Sequence, residues 1–412
     1  MTYVDEMTWR GLIYQMSDPR LGEIMSGERL TLYSGFDPTA PSLHVGNLMP
    51  ILGLRRAQLL GHRPIALVGG ATGIIGDPSG KAGERKLQPL EDIERNQALI
   101  VKQLERFLDF SHGVMVNNSD WFRGMSYLEF LRDTGKHFTV NMMLAKESVN
   151  ARIGDPQSGI SYTEFSYMLI QAYDFLWLLD HYDCRLQIGG SEQWGNITAG
   201  LELIRRRRGK EAYAITLPLL LDSSGKKFGK TEKGAVWLDA SRTSVYDFYQ
   251  YFLRSDDRDV PKLLRFLTFL DQKTITELEE QLRVAPEKRE AHRVLAREMT
   301  TMVHGAQETR NAEDAAAALF GPPQAGAVPA GAPAFDLTGV ALANGYPLVD
   351  IVAQSGLCKS KSEARREIEA GGVYVNDQRV QQVDHKIGPD DVHDGAILLR
   401  RGKKSYMVLQ IT

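Results

Sequence analysis

The segment SGFDPTAPSLHVGN, residues 34–47, joins a predicted strand to a predicted helix and carries groups that could hold an anion. Backbone N–H groups and the positive end of a helix dipole point outward at such a junction. Ligands of open α/β sheets also collect beyond the carboxyl ends of the strands. This histidine loop therefore predicts a nucleotide-phosphate site with His44 and Asn47 as side-chain donors. The quartet His-Val-Gly-Asn alone is more often a helix-entry turn with a capping histidine.

A second loop, SGKKFGKT at residues 224–231, carries lysines between glycines. Lysines on a glycine loop can close over pyrophosphate as negative charge moves onto it, which stabilises a transition state more than a ground state. Lys227, Lys230 and Thr231 are the candidate residues of this lysine loop. Such a loop by itself is usually a solvated turn. Its position after the histidine loop, at the edge of the predicted α/β region, favours catalysis.

Polar side chains also mark one face of the predicted helix TEFSYMLIQAYDF. Tyr167, Gln171 and Asp174 stand at positions i, i+4 and i+7, so they share a face among large apolar neighbours. The stripe indicates either a polar pocket or a solvent-facing side, and these residues alone leave both open. The glycine-rich stretch at residues 69–85, which contains Asp77, is in isolation typical of a flexible surface loop.

Short β-branched and aliphatic runs alternate with amphipathic stretches across residues 1–220, as in βαβ units around a mostly parallel sheet. This pattern predicts an α/β, Rossmann-like catalytic domain. The predicted strands are residues 30–34, 64–68, 185–188 and 213–217. The predicted helices are residues 48–60, 92–110, 163–179 and 197–208, two of them ended by the glycines at positions 61 and 209.

The rest of the chain divides into three further parts. Helical periodicity predicts a helical domain at residues 221–320. Small residues and prolines that cannot bury much apolar surface predict a flexible linker at residues 321–345. A charged helix followed by short strands predicts a small α+β domain at residues 346–412.

Composition narrows the class of protein. The 412 residues carry a net charge of −3, so attraction to nucleic acid must come from local basic patches. Only two cysteines are present, which gives no basis for a disulfide framework or a metal site. The chain offers no apolar run of bilayer length and no signal-like N-terminus, so we expect a cytoplasmic protein without membrane contact.

Five segments together resemble the bacterial-type tyrosyl-tRNA synthetases of class I, across nearly the whole chain: LYSGFDPTA, ALVGGATGIIGDPSGK, YMLIQAYDF, LQIGGSEQWGN and KFGKT. The resemblance implies activation of tyrosine by ATP and transfer to the 3′ end of tRNA(Tyr). Two positions depart from the family pattern. Asn47 replaces the second histidine of the histidine loop, and Glu192 stands where the family often has aspartate.

The resemblance also implies a role for each matching residue. Tyr33 and Asp174 would bind the phenol hydroxyl of tyrosine, while Asp77, Tyr167 and Gln171 would hold its α-ammonium group. ATP would contact Gly35, Asp37, Thr39, His44, Asn47, Gly190, Glu192, Gln193 and Lys230. Catalysis would involve His44, Asn47 and Thr39 of the histidine loop, Lys81 and Arg85 of the glycine-rich stretch, and Lys227, Lys230 and Thr231 of the lysine loop.

Magnesium would accompany ATP, held by phosphate oxygens and water rather than by a protein cage. The C-terminal domain resembles a ribosomal-type (alpha-L) RNA-binding domain, with Lys359, Lys361, Arg365 and Arg366 as tRNA contacts; a solvated helix is the alternative. A second basic group, predicted to lie on a terminal turn, comprises Arg400, Arg401, Lys403 and Lys404. Members of the family form symmetric dimers, and the apolar segment FLRDTGKHFTVNMMLAKES is a candidate interface.

Two other functions stay open at this stage. One is a catalytically silent RNA-binding protein that keeps the synthetase fold, although both nucleotide loops are present. The other is a related tryptophanyl-tRNA synthetase or adenylate-forming enzyme, against which Tyr33 and Asp174 argue.

Overall fold

Buried aliphatic runs form the central sheet of the protein. The computed structural model describes residues 1–79, 87–153, 159–231, 234–320, 333–338, 342–343, 345–393, 395–402 and 405–411. These residues form two compact units, one of residues 1–239 and 256–291 and the other of residues 240–255 and 292–412. The four-part division of the chain given above stays a prediction.

The sheet of the first unit has the strand order β1-β6-β5-β2-β3-β4. All neighbours are parallel except β1, which pairs antiparallel with β6. The chain order reverses on either side of β2, which creates a crevice at its carboxyl end. All four predicted strands are confirmed, and the Rossmann-like α/β class with them. The strands are β1 (Gln15–Met16), β2 (Thr31–Phe36), β3 (Arg63–Val68), β4 (Val114–Asn117), β5 (Cys184–Gly190) and β6 (Tyr213–Leu217).

Helices flank the sheet, and the four predicted ones are present with ends shifted by a few residues. Those before the lysine loop are α1 (Tyr3–Trp9), α2 (Leu21–Gly27), α3 (Leu48–Leu59), α4 (Gly70–Ile75), α5 (Leu90–Leu104), α6 (Ser119–Phe122), α7 (Tyr127–Asp133), α8 (Val140–Leu144), α9 (Glu147–Ile153), α10 (Tyr162–Tyr182) and α11 (Trp194–Arg208). None of the described helices is long and apolar enough to cross a membrane.

The lysine loop ends in the strand β7 (Lys230–Thr231) and is followed by β8 (Gly234–Ala235), and later by α13 (Val260–Leu267) and α14 (Gln272–Val284). Two buried arginines hold the end of α13. Arg10 donates to the carbonyls of Arg265, Thr268 and Leu270 at 2.7–3.0 Å, and Arg56 donates to those of Phe266 and Thr268 at 2.9 Å. These bonds satisfy carbonyls that a helix end leaves open, so α13 is fixed to the α/β unit.

The second unit begins with α12 (Val245–Leu253) and continues with α15 (Glu290–His304) and α16 (Ala306–Phe320). Its last part is α+β, as predicted. A five-stranded sheet of order β12-β11-β14-β15-β9 carries two helices. The elements are β9 (Ala334–Leu337), β10 (Tyr346–Pro347), α17 (Leu348–Gln354), α18 (Lys361–Glu369), β11 (Val373–Val375), β12 (Gln378–Val380), β13 (Lys386–Ile387), β14 (Ala396–Arg401) and β15 (Ser405–Ile411).

One part of the predicted linker is a strand instead. β9 pairs in parallel with β15, and its Leu337 is buried in the C-terminal core. The apolar residues of AFDL therefore gain burial that composition alone did not reveal. Residues 321–332, nearly half of the predicted linker, lie outside the described residues.

The crossing of α10 and α11 yields a stability prediction. A Cβ at Gly200 of α11 would lie 3.0 Å from Cδ1 and 3.2 Å from Cβ of Phe175 in α10. Gly200→Ala should therefore push the two helices apart and lower the free energy of unfolding by about 1–3 kcal/mol. Urea denaturation of the purified variant measures this change.

Gly195→Ala is the matched control on the same helix, because a Cβ there meets its nearest neighbour, Cδ of Lys146, at an ordinary 3.6 Å. This control should be neutral or stabilising by up to about 1 kcal/mol, since alanine favours the helix. Equal effects of the two substitutions would contradict the close-packing argument.

Candidate functional site

A cavity of about 420 Å³ opens at the carboxyl ends of the strands β2 and β5. The sequence-predicted residues converge here from β2, α10, the histidine loop and the lysine loop. Those that line the cavity are Tyr33, Gly35, Asp37, Thr39, His44, Asn47, Asp77, Tyr167, Gln171, Asp174, Gly190, Glu192, Gln193, Lys227 and Lys230. Lys81 and Arg85 lie outside the described residues. The polar stripe of α10 therefore faces a pocket.

The buried carboxyl group of Asp174 forms one end of this cavity. Its side chain is 1% exposed and accepts hydrogen bonds from Nε1 of Trp121 at 2.9 Å and Nδ2 of Asn118 at 3.1 Å. Burial raises the pKa of Asp174 well above its ordinary value, while the bonds from Asn118 and Trp121 oppose that rise. The two donors thus partly offset the cost of burying the carboxyl group.

The hydroxyl of Tyr33 belongs to the same end of the cavity. Its ring packs edge-on against Phe175 with the centroids 5.2 Å apart. Within the described residues the hydroxyl is buried without a hydrogen-bond partner. Burial raises the pKa of Tyr33, and the nearby Asp174 raises it further, so the phenol stays protonated. A buried unpaired hydroxyl costs free energy unless a ligand bonds it.

Asp37, a residue of the histidine loop, is connected to Asp174 through hydrogen bonds. Its carboxylate accepts hydrogen bonds from the Tyr167 hydroxyl at 2.8 Å and from Oγ1 of Thr72 at 2.6 Å. Nδ2 of Asn118 lies 3.0 Å from the same Thr72 oxygen, so a chain of hydrogen bonds runs from Asp37 to Asp174. The chain requires glycine at position 69, because a Cβ there would lie 2.0 Å from Oδ1 of Asp37.

Asp77 ties the glycine-rich stretch to the start of α11. It accepts hydrogen bonds from Nε2 of Gln193 at 2.6 Å, from the backbone of Ser79 at 2.9 Å and, more weakly, from Nδ2 of Asn196 at 3.4 Å. Burial raises the pKa of the neighbouring Glu192, which the charge of Lys227 opposes. Carboxyl and amide oxygens therefore gather on this side of the cavity.

The histidine loop and the lysine region are in direct contact. The backbone N–H of Val45 donates to the carbonyl of Val236 at 3.0 Å. Gly229, at φ +86°, lies so close that a Cβ on it would be 3.1 Å from Cβ of Val45. Both lysines that line the cavity are thereby held near His44. Their charges add to burial, the larger cause, in lowering the pKa of His44, so the neutral imidazole is favoured.

Asn47 stands where the family pattern has its second histidine. Its Oδ1 accepts the backbone N–H of His44 at 3.0 Å, which closes the turn between the two residues. An amide can make this bond with its oxygen and still offer its N–H₂ group as a donor. Asn47 therefore orders the loop that carries His44.

The lysine loop begins at an ordered turn. Asp222 accepts hydrogen bonds from the backbone and hydroxyl of Ser224 at 2.9 and 2.7 Å, and from the backbone of Lys226 at 2.9 Å. Lys262 of α13 donates to the carbonyl of Leu221 at the base of the loop. The side chains of Lys227 and Lys230 are exposed above this base. Thr231 does not line the cavity; its hydroxyl donates to the carbonyl of Gly234 at 3.1 Å.

The predicted tRNA-binding residues of the C-terminal domain are only partly grouped on one helix. Arg365 and Arg366 are exposed on α18, whereas Lys359 precedes that helix. Lys361 is exposed but lies 3.0 Å from the carboxylate of Asp350.

The second basic group was wrongly predicted as a terminal turn, because two of its members belong to β14. Arg400 stacks on Tyr374 at 3.6 Å, and Arg401 pairs with Glu363 and Glu367 at 2.9 and 2.7 Å. These pairs engage both guanidinium groups within the domain. Lys403 and Lys404 lie outside the described residues.

Sequence reasoning missed the residues that support the site. Asn118 directly follows β4, so the rule that ligands collect at strand ends could have identified it had that strand been predicted. Thr72 and Asn196 sit inside motifs already noted, yet nothing in their spacing marks them. Trp121 gives no local signal for its bond to a carboxyl group far along the chain.

The chain is similar to known proteins along its whole length. Residues 25–321 match the family described as tRNA synthetases class I (W and Y), and residues 330–409 match the C-terminal domain described as tyrosine–tRNA ligase SYY-like. The tyrosine–tRNA ligase of Roseiflexus castenholzii is 49% identical, covering 100% of this chain and 99% of the relative. Tyrosine–tRNA ligase 1 of Bacillus subtilis is 48% identical, covering 98% of each.

Solved structures agree in fold. A C-terminally truncated mitochondrial tyrosyl-tRNA synthetase from Aspergillus nidulans has a TM-score of 0.68 and 29% identity, covering 76% of this chain and 92% of that one. A tryptophanyl-tRNA synthetase from Encephalitozoon cuniculi has a TM-score of 0.56 and 16% identity, covering 74% of this chain and 86% of that one. At this identity the likeness concerns the fold alone. Full-length identity near one half therefore decides between the two specificities: the chain belongs to the tyrosine–tRNA ligase family of class I tRNA synthetases.

Proposed function

We propose that the chain activates L-tyrosine with ATP and then transfers the tyrosyl group to the 3′ end of tRNA(Tyr). The observation that carries this proposal is the buried pair of Tyr33 and Asp174 in a cavity that also receives the histidine and lysine loops. One end suits a phenol and the other suits a nucleotide phosphate. Such a cavity would bind tyrosine and ATP at the same time.

Tyrosine would enter with its ring toward α10. Its hydroxyl would donate to the carboxyl group of Asp174 and accept the O–H of Tyr33, which otherwise has no partner among the described residues. Phenylalanine would leave the buried Tyr33 hydroxyl without a partner and would deprive Asp174 of a further donor, at roughly 1–3 kcal/mol for each lost hydrogen bond. The α-ammonium group would meet Asp77, Tyr167 and Gln171, whose oxygens line the same cavity. Selection would therefore rest on hydrogen bonding rather than on pocket size.

ATP would occupy the end formed by the two loops. His44 and Asn47 would contact its phosphates as neutral donors, while Gly190, Glu192 and Gln193 would face the ribose. Gly35, Asp37 and Thr39 border the same space. Magnesium would enter with ATP, held largely by phosphate oxygens and water, the ligands that this ion usually keeps in nucleotide sites.

In the activation step, an oxygen of the tyrosine carboxylate attacks the α-phosphorus and the bond to the β-phosphate oxygen breaks. Pyrophosphate leaves with the electron pair, and the products are tyrosyl-adenylate and pyrophosphate. The protein mainly aligns the reactants and neutralises charge. Lys227 and Lys230, exposed and mounted on the lysine loop, would meet the leaving pyrophosphate. Lys81 and Arg85, together with Thr231, stay proposed participants in this step.

The C-terminal domain would bind the phosphate backbone of tRNA. Arg365 and Arg366 are the strongest candidates, because both are exposed on one helix without an ion pair among the described residues. Lys359 and Lys361 would extend the same basic surface. Binding through such cations falls with rising salt concentration.

A second copy of the chain would cover the exposed apolar residues within and beside the segment FLRDTGKHFTVNMMLAKES, residues 130–148, which together form the apolar patch. This patch exposes 76% of Leu128, 60% of Val140 and 63% of Tyr162, with Tyr127, Leu131, Leu144 and Ile153 also exposed. Large exposed apolar groups close in sequence are typical of an interface. We therefore propose a symmetric homodimer through the apolar patch.

The activation step is tested by exchange of labelled pyrophosphate into ATP. With magnesium present, exchange should depend on L-tyrosine and should exceed exchange with phenylalanine by more than about thirtyfold, since phenylalanine forgoes two hydrogen bonds. Removing magnesium with EDTA should abolish it. The purified chain should then charge tRNA(Tyr) from labelled tyrosine.

Each competing function has its own outcome in this assay. Absence of exchange with any amino acid, from a chain that still binds tRNA, would support the silent RNA-binding protein instead. Exchange that depends on tryptophan would show the related specificity. Either result would refute tyrosine activation.

Sedimentation equilibrium tests the dimer. At micromolar concentration the wild-type chain should sediment at twice its mass of 46.1 kDa, and Leu128→Glu combined with Val140→Glu should yield monomers. Leu59→Glu is the matched control, because Leu59 is an exposed leucine of α3 outside the apolar patch and its replacement should leave the dimer intact. A wild-type monomer at this concentration would rule the dimer out.

A further inference from the structure

Three flat rings stack in parallel beside the cavity. The ring centroids of Trp121 and Trp177 are 4.1 Å apart with an interplanar angle of 16°. On its other side Trp177 stacks with His181 at 3.9 Å and again 16°. Nδ1 of His181 lies 2.8 Å from the carbonyl oxygen of Trp177, which fixes the histidine ring one turn further along α10.

The inner ring of this stack is one of the two donors to Asp174. Trp121 belongs to α6, a helix of four residues, so its backbone provides few hydrogen bonds to hold the ring in place. Its Nε1–H nevertheless points at Oδ1 of Asp174 at 2.9 Å. The direction of that bond depends on the plane of the indole ring, which packing must therefore set.

Trp177 provides this packing from the helix that carries the carboxyl group. Asp174 and Trp177 stand three residues apart on α10, so the acceptor and the platform for its donor move together. Trp177 itself does not line the cavity. An effect of Trp177 on substrate binding would therefore be indirect, through the Trp121 ring that it stacks on.

We propose that Trp177 is a positioning residue for amino-acid specificity, which holds the Trp121 indole in the plane that directs its N–H into Asp174, with His181 covering the outer face of the stack. This inference rests on the proposed role of Asp174 in binding the phenol. Loss of the flat platform lets the Trp121 ring tilt, and the orientation of the carboxyl group toward substrate is then less well defined.

The experiment compares Trp177→Leu, which keeps apolar bulk but removes the flat ring, with Trp177→Phe, which keeps a ring. In pyrophosphate exchange the leucine variant should raise KM for tyrosine about three- to tenfold, the range that an aromatic contact supplies. It should lower the preference for tyrosine over phenylalanine by a similar factor and leave KM for ATP unchanged. The phenylalanine variant should stay within about twofold of the wild type.

Tyr182→Ala serves as the control for loss of an aromatic ring from α10. Its ring lies 6.0 Å from that of Trp177 at a tilt of 55°, outside the parallel stack, so KM for tyrosine and the amino-acid preference should not change.

A leucine variant with wild-type KM and preference would overturn the inference, as would a matching rise in KM for ATP, which would indicate general loosening. Tyrosine-dependent exchange by the wild-type chain is measured first. Its absence would refute the proposed function itself, a result distinct from an unaffected variant.

Discussion

A carboxyl group buried in a protein interior needs hydrogen-bond donors that compensate for the lost contact with water. Asp174 is such a group, and the first unit must supply its donors. Taking a carboxylate out of water costs several kcal/mol unless hydrogen bonds replace the lost solvation. Asn118 at the end of β4 and Trp121 on α6 supply two such bonds. The raised pKa of Asp174 shows that the compensation is incomplete. A ligand hydroxyl that bonded the same group would gain from this deficit, and burial would in this way provide the proposed selectivity.

The surrounding residues hold the Asp174 carboxyl group in a fixed position relative to the histidine loop. The chain of hydrogen bonds through Asn118, Thr72 and Asp37 connects the carboxyl ends of three neighbouring strands, β4, β3 and β2. Gly69 permits the close approach of its members, and Gly229 does the same where the lysine loop meets the histidine loop. These two glycines therefore permit close contact between segments. Both substrates would be aligned by one connected framework.

The family resemblance, rather than local pattern, supplied Tyr33, Asp77 and most of the other residues around the cavity. Periodicity and strand-end rules were sufficient for the parallel sheet and for the helix with the polar stripe. They failed where the deciding contact is distant in sequence. β4 is a half-buried strand of four residues at the sheet edge, too short for periodicity to identify. β9 gains its place by pairing with the last strand, and Arg401 is engaged by carboxylates of α18. Trp121 was missed for the same reason. Tertiary pairing, not local pattern, places these groups, whereas the individual residue roles and the domain boundaries stay predictions.

The central claim is that the phenol of tyrosine completes the hydrogen bonding of Tyr33 and Asp174. A crystal structure of the chain with L-tyrosine bound tests this most directly. The phenol oxygen should lie within about 3 Å of both the Tyr33 hydroxyl and the Asp174 carboxyl group, with the bonds from Asn118 and Trp121 retained. A bound tyrosine whose ring oxygen meets neither group would contradict the account.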